Sequence, residues 1–133
     1  MKTTVLAMAF VVAGALGAHA QDAEIQGTIS QQFEAFKADD FATAFTFASP
    51  TLQSFFGSPA NFGKMVTQGY PMVWRPAGIA YLDLREEDGT FWQKVQITDQ
   101  KGRFHVLEYR MMQTPEGWRI SGVQILDAPG AAV

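Results

Sequence analysis

The stretch that decides the fold runs from Ala77 to Leu126 and reads AGIAYLDLREEDGTFWQKVQITDQKGRFHVLEYRMMQTPEGWRISGVQIL. Turn residues that end in glycine cut it three times, at Glu87-Asp88-Gly89, at Asp99-Gln100-Lys101-Gly102 and at Thr114-Pro115-Glu116-Gly117. The segments between the cuts are rich in Ile, Val, Tyr, Phe, Trp and Thr, side chains that fit a pleated and half-buried surface. Each has the length of an ordinary strand, so the pattern predicts a four-stranded antiparallel meander.

Register decides which side chains meet inside. A loop of Gln100, Lys101 and Gly102, with Gly102 left-handed, sets Ile97 opposite His105, Val95 opposite Leu107, Gln93 opposite Tyr109 and Phe91 opposite Met111. That face is mainly apolar and is expected to look inward. The other face then pairs Lys94 with Glu108 and Trp92 with Arg110, an ion pair and a cation–π contact suited to a wetted surface.

The flanking hairpins are less determined. At the first, a two-residue Asp88-Gly89 turn sends Leu82 and Leu84 inward, whereas a three-residue loop closing on Gly89 sends Tyr81 and Asp83 inward instead. The leucines favour the first register. At the last, Tyr109 falls opposite Val123 and Leu107 opposite Ile125, which leaves Phe104, Val106, Met112, Trp118 and Ile120 on the outer face. Either that apolar outer face is a homodimer surface, or a bulge around Ser121-Gly122 returns part of the strand to the core.

Upstream of the meander the pattern is helical. Ile25, Ile29, Gln32, Phe33 and Phe36 share one face of an amphipathic helix. After Ala38-Asp39-Asp40, where either aspartate can cap, Phe41, Ala44, Phe45 and Ala48 make a second stripe. Ser49-Pro50 and Ser58-Pro59 each match an N-cap serine with proline at the first helical position, predicting short helices that run to Gly57 and Gly69. The phenylalanines of this region, Phe33, Phe36, Phe41, Phe45, Phe47, Phe55, Phe56 and Phe62, are mostly core. Tyr70 to Pro76 is read as an extended crossing between the layers. A helical layer this apolar must lie on the sheet, so the fold class is α+β, with N-terminal helices packed on a four-stranded or larger antiparallel sheet.

At 133 residues the chain has room for one domain. Lys2, the short apolar run from Val5 to Ala18 and the small residues of Ala18-His19-Ala20 have the form of a signal peptide, residues 1–20, cleaved after Ala20. The run is too short to span a bilayer comfortably, and no Cys stands near it for lipidation. The expectation is a periplasmic or secreted domain over 21–133, its core about 25–126, with no stable membrane anchor. Without Lys2, nine of the ten Lys and Arg remain against thirteen Asp and Glu, an acidic balance that argues against nucleic acid. Zero Cys excludes thiol chemistry, and with His19 in the leader the mature chain has a single histidine, His105, so a site with several His ligands is excluded within one chain.

The residues Gln32-Phe33-Glu34-Ala35-Phe36, Asp39-Asp40, Ala44-Phe45, Ala48-Ser49-Pro50, Tyr70-Pro71, Arg75-Pro76, Gln93, and Tyr109 with Trp118-Arg119-Ile120-Ser121-Gly122 carry a resemblance. Helices first and then a long antiparallel sheet resembles the nuclear transport factor 2-like superfamily, which implies a cone of curved sheet wrapped by helices. More closely, the chain over Ile25 to Leu126 is similar to a bacterial family, domain of unknown function 4864. Family members often carry Cys after the glycine of that last run, where this chain has Val123. The family brings no catalytic set with it, and the superfamily holds both enzymes and binding domains.

Three functions fit these residues. The first is non-catalytic binding of a small apolar ligand or a protein partner. The second is a small-molecule isomerase or hydro-lyase with Asp83 or His105 as base and Tyr109 or Gln93 as donor. The third is a structural homodimer whose interior Phe and Met fill any cavity. Candidate ligand-binding residues are Gln93, His105, Tyr109, Asp83 and Trp74, the last a rim residue with Arg75 unless it simply packs. No cofactor and no metal is implied.

Overall fold

A computed structural model describes the backbone of residues 8–126 and the side chains of residues 20–126. The expected leader lies largely outside the described side chains. Five helices precede four strands: α1 (Met8–Lys37), α2 (Phe41–Thr46), α3 (Pro50–Phe56), α4 (Pro59–Gly69), α5 (Pro71–Trp74), β1 (Gly78–Glu87), β2 (Thr90–Thr98), β3 (Phe104–Thr114) and β4 (Gly117–Ile125). The strands form one open antiparallel sheet in sequence order, with the helices on one face.

Local chemistry sets the helix starts. Asp40 caps α2, its carboxylate accepting from the Thr43 N–H at 3.1 Å and the Thr43 hydroxyl at 2.7 Å. Ser49 and Ser58 cap α3 and α4 by accepting from the N–H groups of Leu52 and Asn61, each with proline inside the first turn. Gly57 ends α3 at φ 85°, the left-handed conformation that glycine takes without a steric penalty. α4 runs to Gly69 as expected, with Tyr70 as its cap and Gly69 itself not left-handed. Pro71 to Trp74 is a helical turn rather than an extended crossing, because Pro71 sits at the first helical position where its missing N–H costs nothing.

The middle hairpin has the expected register throughout, from Phe91 opposite Met111 to Thr98 opposite Phe104. Each flanking hairpin changes register halfway. In the first, Asp88 (φ 54°) and Gly89 (φ 79°) form a two-residue turn, with Glu87 opposite Thr90 and Leu84 opposite Gln93. Leu82 and Asp83 then both stand against Lys94, and beyond this bulge Tyr81 lies opposite Val95. Leu84 and Tyr81 therefore both face inward, while Leu82 and Asp83 are exposed. The expected inward Leu82 is thus corrected, since one extra residue reverses every side chain beyond it.

The last hairpin behaves the same way. Its turn pairs Thr114 with Gly117 and Met111 with Ile120; Ser121 is an extra residue, and beyond it Arg110 pairs with Gly122 and Tyr109 with Val123. Trp118 and Ile120 are returned to the core at 4 % and 2 % exposure, which removes them from the expected outer apolar face. The bulge also turns the backbone of Ile120 outward. Its N–H donates to the Phe47 carbonyl and its carbonyl accepts from the Ser49 N–H, both at 2.8 Å, stitching the α2–α3 connection to the sheet edge.

Ile25, Ile29, Phe33 and Phe36 of α1 bury against Val95, Ile97, Leu107, Tyr109, Met111, Trp118 and Ile120. At Gly63 a Cβ would lie 2.8 Å from the Phe41 ring, so glycine is what lets α4 approach α2 this closely. On the outer face the pairings hold but the partners differ. Arg85 of β1, rather than Lys94, holds Glu108 by two bonds of 3.1 Å, and Arg85, rather than Arg110, lies over Trp92 at 5.4 Å. That guanidinium keeps the nearly buried Glu108 carboxyl below its ordinary range.

Candidate functional site

The helices do not fill the space above the sheet. Between α1, α4 and α5 on one side and β3 and β4 on the other lies a cavity of about 360 Å³, walled by Phe36, Phe62, Val66, Val73, Ile120 and Val123. Leu52, Phe55 and Phe56 of α3 also line it. α3 has no buried residue, and Phe55 is 77 % exposed with its ring edge-on to Phe56 at 5.1 Å.

Three hydroxyl or amide side chains join this lining, Tyr70, Gln32 and Tyr109. Tyr109 is 1 % exposed, held by its cross-strand neighbours Gln93 and Val123 and by the tilted ring of Phe33 at 6.3 Å. Burial, with a smaller push from Tyr81, drives its hydroxyl far above the ordinary phenol range, so it stays a neutral donor. It makes no hydrogen bond among the described residues. Nor is it sealed in: the one sealed, unpartnered polar side-chain atom among the described residues is the Trp118 indole Nε1. Gln32, which sequence reasoning misses as a polar candidate because it sits on the apolar stripe of α1, donates through Nε2 to the Ala44 carbonyl at 3.1 Å.

The other expected site residues lie elsewhere, and all but Asp83 have a structural occupation. Gln93 is fully buried, and its Nε2 donates to the carbonyls of Leu82 (3.0 Å), Asp83 (3.3 Å) and Lys94 (2.9 Å), closing the β1 bulge from inside. Asp83 projects from that bulge as an exposed side chain and does not enter the interior. Trp74 donates its indole N–H to Asp39 at 2.8 Å while Arg75 grips the same carboxylate at 3.0 and 3.1 Å. Arg75 also donates to the Phe36 carbonyl at the end of α1 and stacks on Trp74, so the pair clamps the left-handed Asp39 that follows α1. Trp74 is a clamp residue and not a cavity residue.

His105 faces inward opposite Ile97, as its register requires, but it is four residues and so roughly 13 Å along the strand from Tyr109. Its Nε2 meets Asp99 Oδ2 at 2.9 Å, and Asp99 Oδ1 accepts from the Lys101 and Arg103 N–H groups, both at 2.9 Å. These bonds, His105 foremost, hold the Asp99 carboxyl down at about 2. A folded-state value below the ordinary 3.8 means that the ionised carboxylate stabilises the hairpin at neutral pH and that this is lost as the pH falls through about 2. The melting-temperature difference between wild type and Asp99→Asn is therefore expected to shrink as the pH falls between 3.8 and 2. A difference that stays flat to the acid end would show that the charge does not matter there.

The structure thus brings Tyr109 to a cavity without Asp83 or His105, and no carboxylate or imidazole lines that cavity. Among the described residues no cluster of three or more His, Cys, Asp and Glu could hold a metal. No curated protein and no solved structure matches the chain. The family model for domain of unknown function DUF4864 matches residues 18–133, which takes in α1 from residue 18 onward, the other helices, the sheet and every residue of the cavity, and the chain belongs to that family.

Proposed function

We propose that this is an exported, non-catalytic domain that binds a small, largely apolar molecule in the cavity between its helices and its sheet. The observation that carries the reading is the hollow itself, about 360 Å³ walled almost entirely by apolar side chains. Packed interiors seldom leave space much beyond a water molecule, and pockets of this size and character are where small ligands are held. A structural homodimer would have filled it with the Phe and Met at hand. An isomerase or hydro-lyase needs a base within reach of the substrate, and the two candidates, Asp83 and His105, stand apart from it. The order of helices and then antiparallel sheet fits the resemblance to the nuclear transport factor 2-like superfamily, whose members include binding domains. Export rests on the leader pattern of residues 1–20.

The test fills the hollow. Val123 faces it from β4, and Val123→Phe is expected to lower affinity for the neutral dye N-phenylnaphthylamine by about tenfold or more, while leaving the melting temperature unchanged or higher. Fluorescence titration and a thermal melt on the same preparation read both. Undiminished dye binding by a folded Val123→Phe protein would place binding elsewhere and defeat the reading.

A further inference from the structure

The geometry points to an uncharged ligand with a hydroxyl-type head group, one that accepts from the Tyr109 hydroxyl and donates to the Gln32 amide oxygen, and with an aliphatic body in the rest of the cavity. This rests on the binding reading above and names the chemistry of its ligand.

The two buried polar residues of this lining, Tyr109 and Gln32, each carry an atom without a partner among the described residues, and their demands are complementary. The Tyr109 side chain is 1 % exposed, and its hydroxyl hydrogen-bonds no described residue. A buried polar group left unpartnered is costly, so a group that supplies the missing bond gains more here than at a surface. Gln32 is 5 % exposed, and its orientation is fixed because Nε2 donates to the Ala44 carbonyl. That leaves Oε1 as an acceptor with no donor among the described residues. Tyr109 supplies a donor; Gln32 supplies an acceptor. A head group that both accepts and donates satisfies the two together, as an alcohol does.

Charge is excluded by the same lining. No Lys, Arg or His lines the cavity, so a carboxylate head would lose its hydration with only neutral tyrosine hydroxyls in return and would meet the Gln32 oxygen. An ammonium head would find no carboxylate. Tyr109 itself stays neutral, since burial disfavours its phenolate. A bare ketone or ester carbonyl would serve Tyr109 and leave Gln32 unpaired.

Octan-1-ol, octanoate and octane differ only at the head and make the test, each titrated against wild type by displacement of N-phenylnaphthylamine. Octanol is expected to bind about tenfold or more tightly than either of the others. Tyr109→Phe is expected to lower octanol affinity about three- to tenfold and to leave octane affinity unchanged, a split that a general loosening of the cavity would not produce. Octanoate binding as tightly as octanol, or an octanol affinity indifferent to Tyr109→Phe, would overturn the head-group assignment while leaving the cavity as a site. If none of the three displaces the dye, and the dye itself does not bind, the binding reading fails together with this one.

Discussion

Gln93→Leu is expected to destabilise the domain by about 2–4 kcal/mol while leaving dye affinity in the folded fraction unchanged. Leu nearly matches the volume of Gln, so little of the loss comes from a cavity. What disappears is the Nε2 group that serves three backbone carbonyls, those of Leu82, Asp83 and Lys94. Two of these belong to the β1 bulge, where the extra residue stands outside the ladder and turns its carbonyls toward the interior. Gln93 is fully buried, so no water takes its place without opening the sheet. Leaving about two carbonyls unserved at roughly 1–3 kcal/mol each gives a loss of that size. Urea denaturation reads it. A loss under about 0.5 kcal/mol, the range of an ordinary surface change, would mean that the bulge carbonyls are satisfied otherwise.

Gln93→Glu adds a sign to this expectation. An ionised carboxylate would face three carbonyl oxygens in a buried site, so its folded-state value would rise above the unfolded one. The variant is then least damaged in acid and increasingly destabilised as the pH rises past the unfolded carboxyl value.

How far the fold is legible in the sequence depends on where glycine marks the backbone. The middle hairpin carries Gly102 at φ 83° and runs without interruption, and every pair expected from its loop occurs. The first hairpin admits two registers from its sequence, and each holds for half its length. Leu82-Asp83 contains no glycine and no proline to mark the switch; the only trace is Gln93, a polar residue in an otherwise apolar inward row. The last bulge does leave a mark, at Ser121-Gly122. The outer face shows a different limit. Cross-strand register names the neighbours of Glu108 and Trp92, but Arg85 is long enough to reach both from the adjacent strand, and its docking depends on where the first bulge places it.

The cavity is the least legible part. Phe36, Phe62, Val66 and Val123 look in sequence like any core residues, and a hollow is an absence of atoms set by how short helices sit across a sheet. Alternation alone places Tyr109 on the inward face. It does not show that the hydroxyl lacks a partner, because this depends on Asp83 being turned away by the bulge. Gln32 is visible as a polar residue on the stripe of α1, and its meaning rests on the Ala44 carbonyl that orients it.

Ile120→Ala is expected to destabilise the domain by about 2–5 kcal/mol, whereas deletion of its neighbour Ser121 is expected to leave a cooperatively folding domain. Ile120 is 2 % exposed in the core, so truncating it removes buried methyl groups and leaves a hollow in their place. Ser121 is different. It is the extra residue between two stretches of matched pairs: Met111 lies opposite Ile120 and Arg110 opposite Gly122, so without Ser121 these pairs follow one another in a single regular ladder. Trp118 and Ile120 then keep their inward face, and Val123 keeps its place opposite Tyr109. What the deletion removes is the local bend and the bond of the Ser121 hydroxyl to the Arg110 carbonyl at 3.1 Å. The bend matters most at Ile120, whose N–H and carbonyl reach Phe47 and Ser49 at 2.8 Å and tie the helical layer to the sheet edge. Circular dichroism with urea titration reads both variants. A flat baseline for the deletion would mean that the bend at Ser121, and not only the pairing on either side of it, holds the helical layer to the sheet.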